Sequence, residues 1–428
     1  MEKKQLWVAW GRLIALMFSS VIFSIPYILW TLYNPMFDAF GVDHGTLAFL
    51  MTMYGAVAIP SYLFGGFIAD RFNPTKLIFV ALLGVGVLGI PYSTLPSFNT
   101  VLIIQFFMAI FSIGLYFPAL IKVTRFISDN MGQGLGYGAL EGGRKLSYFV
   151  FNAMFIAGFQ AAGEGVAGLQ RALLIISIQN IVMAFVILFV FKGVNYNEMA
   201  SCEGDKVNLS KVIPLLKKPV IWLIAMIILL IYVSSAIQGY VTNYLVSVFG
   251  MGEAAAAWFL TFTQFAAPLI VVVGGVLTDK LGIAKGMLIT QALLAVTIAA
   301  LQFVPAVPSS LTIAMASLLV FLIALYIVRG IYWTLVSYAK IPKMVTGTAL
   351  GVMMMICYTP DFFMYNLAGS ILDANGPARG YDIIFTIMLA CAVASIGLML
   401  ILIKYLKGKK TEEVYGDVCT IENNELIA

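Results

Sequence analysis

The chain has 428 residues, 61% of them hydrophobic and only 11% charged, with a mean hydropathy of +0.98. Soluble proteins are about 45–50% apolar and about 25% charged, so a water-soluble globular domain is excluded and lipid is the expected solvent. The net charge of +5 comes from basic residues dispersed between apolar runs, which argues for membrane topology and against a nucleic-acid surface.

The apolar runs are roughly 20 residues long, enough to cross a hydrocarbon core of about 30 Å as helices, whereas barrel strands would be shorter and alternating. In chain order the pattern predicts spans over 7–31, 46–69, 77–95, 99–123, 135–159 and 170–191. A polar linker over 193–218 follows. The second set runs over 219–247, 254–278, 286–305, 310–337, 345–371 and 381–404, ahead of a polar tail over 408–428. The expected organisation is therefore two six-helix halves, 1–192 and 219–407, joined by a linker and closed by a tail. An even number of spans puts both termini on one side. Lys3, Lys4, Arg71, Lys76, Arg125, Lys217, Lys280, Lys285, Lys340 and Lys409 fall on that side, against Arg171 and Arg379 opposite, so the positive-inside rule predicts cytoplasmic termini. His44, the sole histidine, falls in the first external loop and reads as an ordinary surface residue.

The halves echo one another. GGFIADRFNPTKL begins at Gly65 and GGVLTDKLGIAKG at Gly274, 209 residues later. GQGLGYG from Gly132 parallels GTALGVM from Gly347, and Phe151-Asn152 parallels Tyr365-Asn366, at offsets of 215 and 214. Echoes in one order, each half with an even number of spans, describe parallel repeats about an axis along the membrane normal.

These loops resemble the major facilitator superfamily, whose signature Gly-x-x-x-Asp-Arg/Lys-x-Gly-x-Arg/Lys lies between its second and third helices, with a weaker copy between the eighth and ninth. The first copy here places Gly66, Asp70, Arg71 and Lys76, with Asn73 where the family has Gly; the second places Gly275, Asp279, Lys280, Gly282 and Lys285. The resemblance implies an all-α membrane fold of twelve helices in two parallel six-helix repeats, a secondary transporter working by alternating access, and a gating role for Gly66, Asp70, Arg71, Gly275, Asp279 and Lys280. The segments LEGGR, RGIYW and YTPD resemble a bacterial branch related to organophosphate antiporters and other organic-anion carriers. Family proton antiporters carry an Arg in the fourth helix; Gln105 stands there in this chain, which takes weight from a drug-antiporter reading.

Ionisable residues inside spans are costly and mark functional sites by default. The fifth span carries Glu141, Arg144 and Lys145; Glu141 and Arg144 are three apart and share a helix face. Arg144 lies about ten residues into its span, about 15 Å deep at helical rise, near the midplane where such carriers hold cargo. The tenth span contributes Arg329 and the eleventh Asp361, preceded by Pro360, which is expected to interrupt the helix. Gly142 and Gly143 would admit a close neighbour. A dense polar run on the seventh span, Tyr232, Ser234, Ser235, Gln238, Tyr240 and Asn243, is expected to face the pathway in part.

Two readings compete. In one, Glu141 with Arg144 and Arg329 with Asp361 are structural ion pairs and Lys145 snorkels. In the other, Arg144 and Arg329, with Tyr332, Gln238 and Tyr358, hold an anionic group, and Glu141, Asp361 or Lys145 serves proton coupling or pairing. The favoured expectation is carriage of a small organic anion, a carboxylate, phosphate ester or sulfonate, by proton coupling or anion exchange. The partners expected are that anionic small molecule and the lipid bilayer, with a monomer in a bacterial inner membrane. A neutral sugar or nucleoside importer, a multidrug exporter, a channel and a non-transporting sensor are the alternatives. Nothing resembles a nucleophile–base set, a phosphate-cradling loop or metal-spaced His and Cys, so no enzyme, cofactor or metal is expected.

Overall fold

The computed structural model describes residues 3–128, 133–194, 217–341, 346–409 and 414. Most of the linker and tail, with Lys3-adjacent Glu2 and the loops at 129–132 and 342–345, lie outside the described residues. Among the described residues all regular structure is helical, and helix occupies every one of the twelve predicted spans.

Eight helices there are long and apolar enough to cross a membrane, or nine if the pair Tyr33–Phe40 and His44–Ser61, bent by 112°, forms one broken span. The remaining spans have physical reasons for escaping that test. The helix Gln133–Ala161 carries Glu141, Arg144 and Lys145. The first span is apolar only over the shorter stretch Trp7–Phe23. The eleventh and twelfth run together as Pro360–Leu406 and are broken at Gly376, whose φ of 71° and ψ of 172° end a helix at no Cβ cost, with Pro377 restarting it.

Several spans depart from regular helix. The first is interrupted by a 3-10 segment at Ser19–Phe23 and the seventh by another at Ile237–Tyr240. The fourth contains a π-helical stretch, Ile110–Tyr116, an irregularity frequent at functional positions. The eleventh breaks between Thr346–Cys357 and Pro360, the interruption that Pro360 predicts.

The loop positions have distinct local causes. Asn73, standing in the family's glycine place, accepts N–H bonds from Thr75 and Lys76 and caps the helix Pro74–Ser93, whose first residue is proline. Its repeat counterpart Gly282 takes φ of 81° ahead of the helix Ile283–Gln302, a conformation that favours glycine. The chain thus solves the same turn twice, once with a side-chain cap and once with a left-handed glycine.

Two compact units form. The first comprises Met1–Cys202 with Gly239–Pro268 and Tyr365–Pro377; the second comprises Glu203–Gln238, Leu269–Met364 and Ala378–Ala428. Within the first unit, Asp373 from the eleventh span takes the backbone N–H groups of His44 (2.9 Å) and Gly45 (2.8 Å), while Asp43 caps the same helix by accepting from Thr46. Asn366 donates to Gly45 O at 3.1 Å, and Gly369 lies so close that a Cβ there would meet His44 O. His44 differs from the ordinary surface residue expected. Its ring stacks on Phe37 with centroids 4.3 Å apart and its Nδ1 is hydrogen-bonded to the Tyr33 hydroxyl at 3.0 Å.

Candidate functional site

In the first unit the irregular turn at Ser19–Phe23 presents Ser20 to the fifth span. Arg144 Nε donates to Ser20 Oγ at 3.1 Å and Nη1 to Glu141 Oε1 at 2.7 Å. Its guanidinium lies 5.7 Å from the Phe23 ring centroid, within cation–π range. The helix approaches closely because Gly143 leaves room for Met17, where a Cβ would overlap its sulfur; Gly142 faces open space. The Arg144 side chain is 21% exposed and that of Glu141 63%, so the carboxylate sits at the open edge of this pair. Lys145 is exposed on the same helix. Tyr116, positioned by the π segment, shares hydrogen bonds with Ser19 (2.8 Å) and Ser20 (3.3 Å), which ties the serine that orients Arg144 to the fourth span.

The second unit gathers Arg329, Tyr332, Gln238, Tyr358 and Asp361. Arg329 Nη1 donates to Gln238 Oε1 at 3.4 Å, and its guanidinium lies 5.5 Å from the Tyr232 ring centroid. Tyr332, Tyr232, Tyr358 and Tyr326 are all near enough to act on it electrostatically. Tyr232 packs edge-on against Tyr358 at 4.8 Å and donates its hydroxyl to Asp361 Oδ2 at 2.9 Å. Arg329 and Asp361, expected as a possible direct pair, are therefore linked through Tyr232; among the described residues no carboxylate forms an ion pair with Arg329. Tyr232 was visible in the sequence only as one member of the polar run on the seventh span. The Gln238 Nε2 atom, like Ser234 Oγ and Ser235 Oγ, is buried with no hydrogen-bond partner.

The signature loops are placed less evenly. Gly66 lies in the helix His44–Arg71, and the Asp70 side chain lies outside the described residues; Arg71 is exposed in the last turn. Asp279 and Lys280 are exposed at the end of Glu253–Leu281. The close approach belongs to the neighbouring glycines: a Cβ on Gly65 would come within 2.5 Å of Gly114 O, and one on Gly274 within 2.9 Å of Ile327 Cγ2, whereas Gly275 faces open space. Gln105 is buried and donates to Pro26 O at 3.0 Å, a packing role beside the broken first span. Lys122 donates to Ala69 O at 2.8 Å, near the C-terminal end of a helix where a cation is favourable.

Comparison with known proteins agrees with this architecture. Residues 12–364 match the Major Facilitator Superfamily. The inner membrane protein YqcE of Escherichia coli K12 is 27% identical over 381 residues, covering 87% of this chain and 89% of the relative. The inner membrane protein YihN of the same organism is 24% identical over 397 residues, covering 91% and 94%. Among solved structures, the nucleoside transporter NupG superposes with a TM-score of 0.73 at 12% identity, covering 94% of this chain and 100% of that one. A bacterial homologue of the human lysosomal transporter Spinster, inward-facing and occupied, gives 0.71 at 16% identity, with 94% and 98% covered. These likenesses in structure concern the fold. Taken with the matched sequence, they show that this multi-pass membrane protein belongs to the Major Facilitator Superfamily of transporters.

Proposed function

We propose that the chain carries a small organic anion, a carboxylate, phosphate ester or sulfonate, by alternating access, driven by protons or by exchange for a second anion. The observation that carries this reading is Arg329. Its guanidinium lies over the Tyr232 ring and donates to the Gln238 amide oxygen, and Asp361, near enough to act on it electrostatically, makes no ion-pair contact with it among the described residues. A guanidinium inside a span is costly without a counter-charge, and its planar fork fits carboxylate or phosphate oxygens two at a time. Arg144 supports the same reading: its two bonds, to Ser20 and Glu141, use two of five N–H donors. Gln238, Tyr332 and Tyr358 would contact substrate beside Arg329. Asp361, with Glu141 and Lys145, would couple protons or hold the pairs.

The sequence halves 1–192 and 219–407 would rock against one another, with Gly66, Asp70, Arg71, Gly275, Asp279 and Lys280 gating, in a monomer whose termini are cytoplasmic in a bacterial inner membrane. The test is uptake into proteoliposomes of a panel of carboxylates, phosphate esters and sulfonates, with imposed pH gradients or preloaded anions. Saturable uptake that responds to one of these drives, and that falls in Arg329→Gln, supports the reading. Flux indifferent to both drives overturns the coupling. Near-normal flux in both Arg144→Gln and Arg329→Gln overturns the anion and leaves a neutral sugar or nucleoside.

A further inference from the structure

The first unit holds a second group of polar side chains, separate from Arg144, in which several buried atoms lack a close hydrogen-bond partner. Asn152 is 1% exposed; its Nδ2 reaches Thr261 Oγ1 at 3.4 Å, and its Oδ1 has no partner. Gln264 is 6% exposed with Nε2 unpartnered, and Trp30 Nε1 is likewise buried and unpartnered. The Tyr148 hydroxyl lies among them, within hydrogen-bonding reach of Asn152, Thr31 and Gln264. The Trp30 indole, next in sequence to Thr31, lies against Gly239, where a Cβ would fall 2.8 Å from Trp30 Cδ1.

Orphaned polar atoms in a low-dielectric interior are destabilising, and several in one cluster point to a missing guest. The chemistry of that guest is constrained. Asn152 Oδ1 needs a donor, whereas Gln264 Nε2 and Trp30 Nε1 need acceptors. A carboxylate or phosphate accepts only; a hydroxyl does both. An aromatic stripe connects this cluster to Arg144. Phe23 lies under the Arg144 guanidinium at 5.7 Å, Tyr27 follows with ring centroids 6.5 Å from Phe23, and Trp30 lies 4.8 Å from Tyr27. These successive ring contacts, not a helical face, connect the three, because the segment passes from the 3-10 turn at Ser19–Phe23 to the four-residue helix Ile28–Thr31.

We infer that Asn152, Gln264, Tyr148 and Trp30 form a subsite for the hydroxylated body of the cargo, so that the substrate class is an organic anion bearing several hydroxyls, as in a sugar acid or sugar phosphate. The inference rests on the anion reading for its charged end at Arg144, and on the orphaned amides and indole for its body.

Matched probes separate the two. Glucuronate and glucose 6-phosphate carry charge and hydroxyls; cyclohexanecarboxylate and cyclohexyl phosphate carry charge alone; glucose carries hydroxyls alone. Binding to the purified full-length protein is measured by calorimetry, with Trp30→Phe as a check on the indole. The wild type should prefer at least one sugar anion over its hydroxyl-free partner by about tenfold or more, the factor of a good hydrogen bond or two. Asn152→Leu and Gln264→Met should erase that preference while retaining the hydroxyl-free anion. Should Asn152→Leu fail to fold, the shape-conserving Gln264→Met decides. An unchanged preference in the folded variants, no preference in the wild type, or no binding of any probe overturns the subsite. Glucose binding as well as the sugar anions, unaffected by Arg144→Gln but weakened by Gln264→Met, sinks the anion reading and leaves the subsite standing.

Discussion

Tyr232 donates its hydroxyl to Asp361 at 2.9 Å while its ring lies 5.5 Å from the Arg329 guanidinium, so a single neutral side chain joins the carboxylate and the cation of the second unit. A direct Arg–Asp pair would satisfy both charges and leave nothing for a ligand. With tyrosine between them, the cation keeps its fork open and the carboxylate keeps a bond that does not require a second charge.

The first prediction concerns Asp361. If this carboxylate takes up and releases the coupling proton, Asp361→Asn, a neutral isostere, should abolish accumulation against a gradient in proteoliposomes yet preserve exchange of labelled for unlabelled substrate. Tyr232→Phe removes the hydroxyl and keeps the ring under Arg329. It should leave substrate affinity nearly unchanged and slow gradient-driven uptake by about tenfold, consistent with a hydrogen bond to a charged group worth about 1.5–3 kcal/mol. Loss of both modes together in Asp361→Asn would assign the carboxylate to architecture instead.

Arg329 makes a sharper demand. Arg329→Lys keeps the charge but loses the planar fork and most of the stacking on Tyr232. Affinity for an anionic substrate should fall by about tenfold or more in the lysine variant, and transport should be nearly lost in Arg329→Gln. Full rescue by lysine, measured as an unchanged KM, would mean that position 329 supplies only positive potential.

How much of this was legible in the sequence follows from which features are periodic. Spans, the repeat and the charged positions 141, 144, 329 and 361 stand out because each is a local break in hydropathy. The Glu141–Arg144 contact was readable too, since three residues along a regular helix place two side chains on one face. Tyr232 as the link to Asp361 was not, because it depends on the packing of the seventh span against the eleventh, 129 residues away. Ser20 escaped notice for a related reason: the 3-10 turn at Ser19–Phe23 alters the helical register on which face assignments rely. The close-packed glycine of the second loop was not legible either, since the signature names Gly275 for gating and gives no sign that Gly274 is the one packed against Ile327.

Those glycines give the next prediction. In Gly65→Ala the new methyl meets backbone, Gly114 O at 2.5 Å, with Pro118 Cγ at 2.7 Å; in Gly274→Ala it meets chiefly the Ile327 side chain, which can shift. Thermal unfolding in detergent should rank Gly65→Ala as the most destabilised, by about 1–3 kcal/mol, with Gly274→Ala milder. Gly275→Ala, in open space within a helix, should be neutral or stabilised by up to about 1 kcal/mol. A reversed order of Gly274 and Gly275 would mean that the signature glycine carries the packing after all.

The last prediction tests the tie between the second and eleventh spans inside the first unit. Asp373 accepts the His44 and Gly45 N–H groups, two of the four that the start of a helix leaves unpaired, and its charge faces the positive end of the helix dipole. Asp373→Asn keeps an acceptor oxygen but loses the charge, and it should lower stability by about 0.5–1 kcal/mol; Asp373→Ala loses both, for about 1–2 kcal/mol. Gly369→Ala acts differently, since its methyl would press on His44 O at 2.5 Å and Gly45 N at 2.8 Å, backbone atoms that cannot rotate away. It should force the two segments apart. Accessibility of a cysteine placed at the exposed position Asn99, in the cleft that Asp43 and Asp373 also line, reads this directly. Maleimide labelling there should rise in Gly369→Ala and Asp373→Ala relative to the parent cysteine variant. Equal labelling in all three would show that the contact stabilises the helix end without holding the cleft closed.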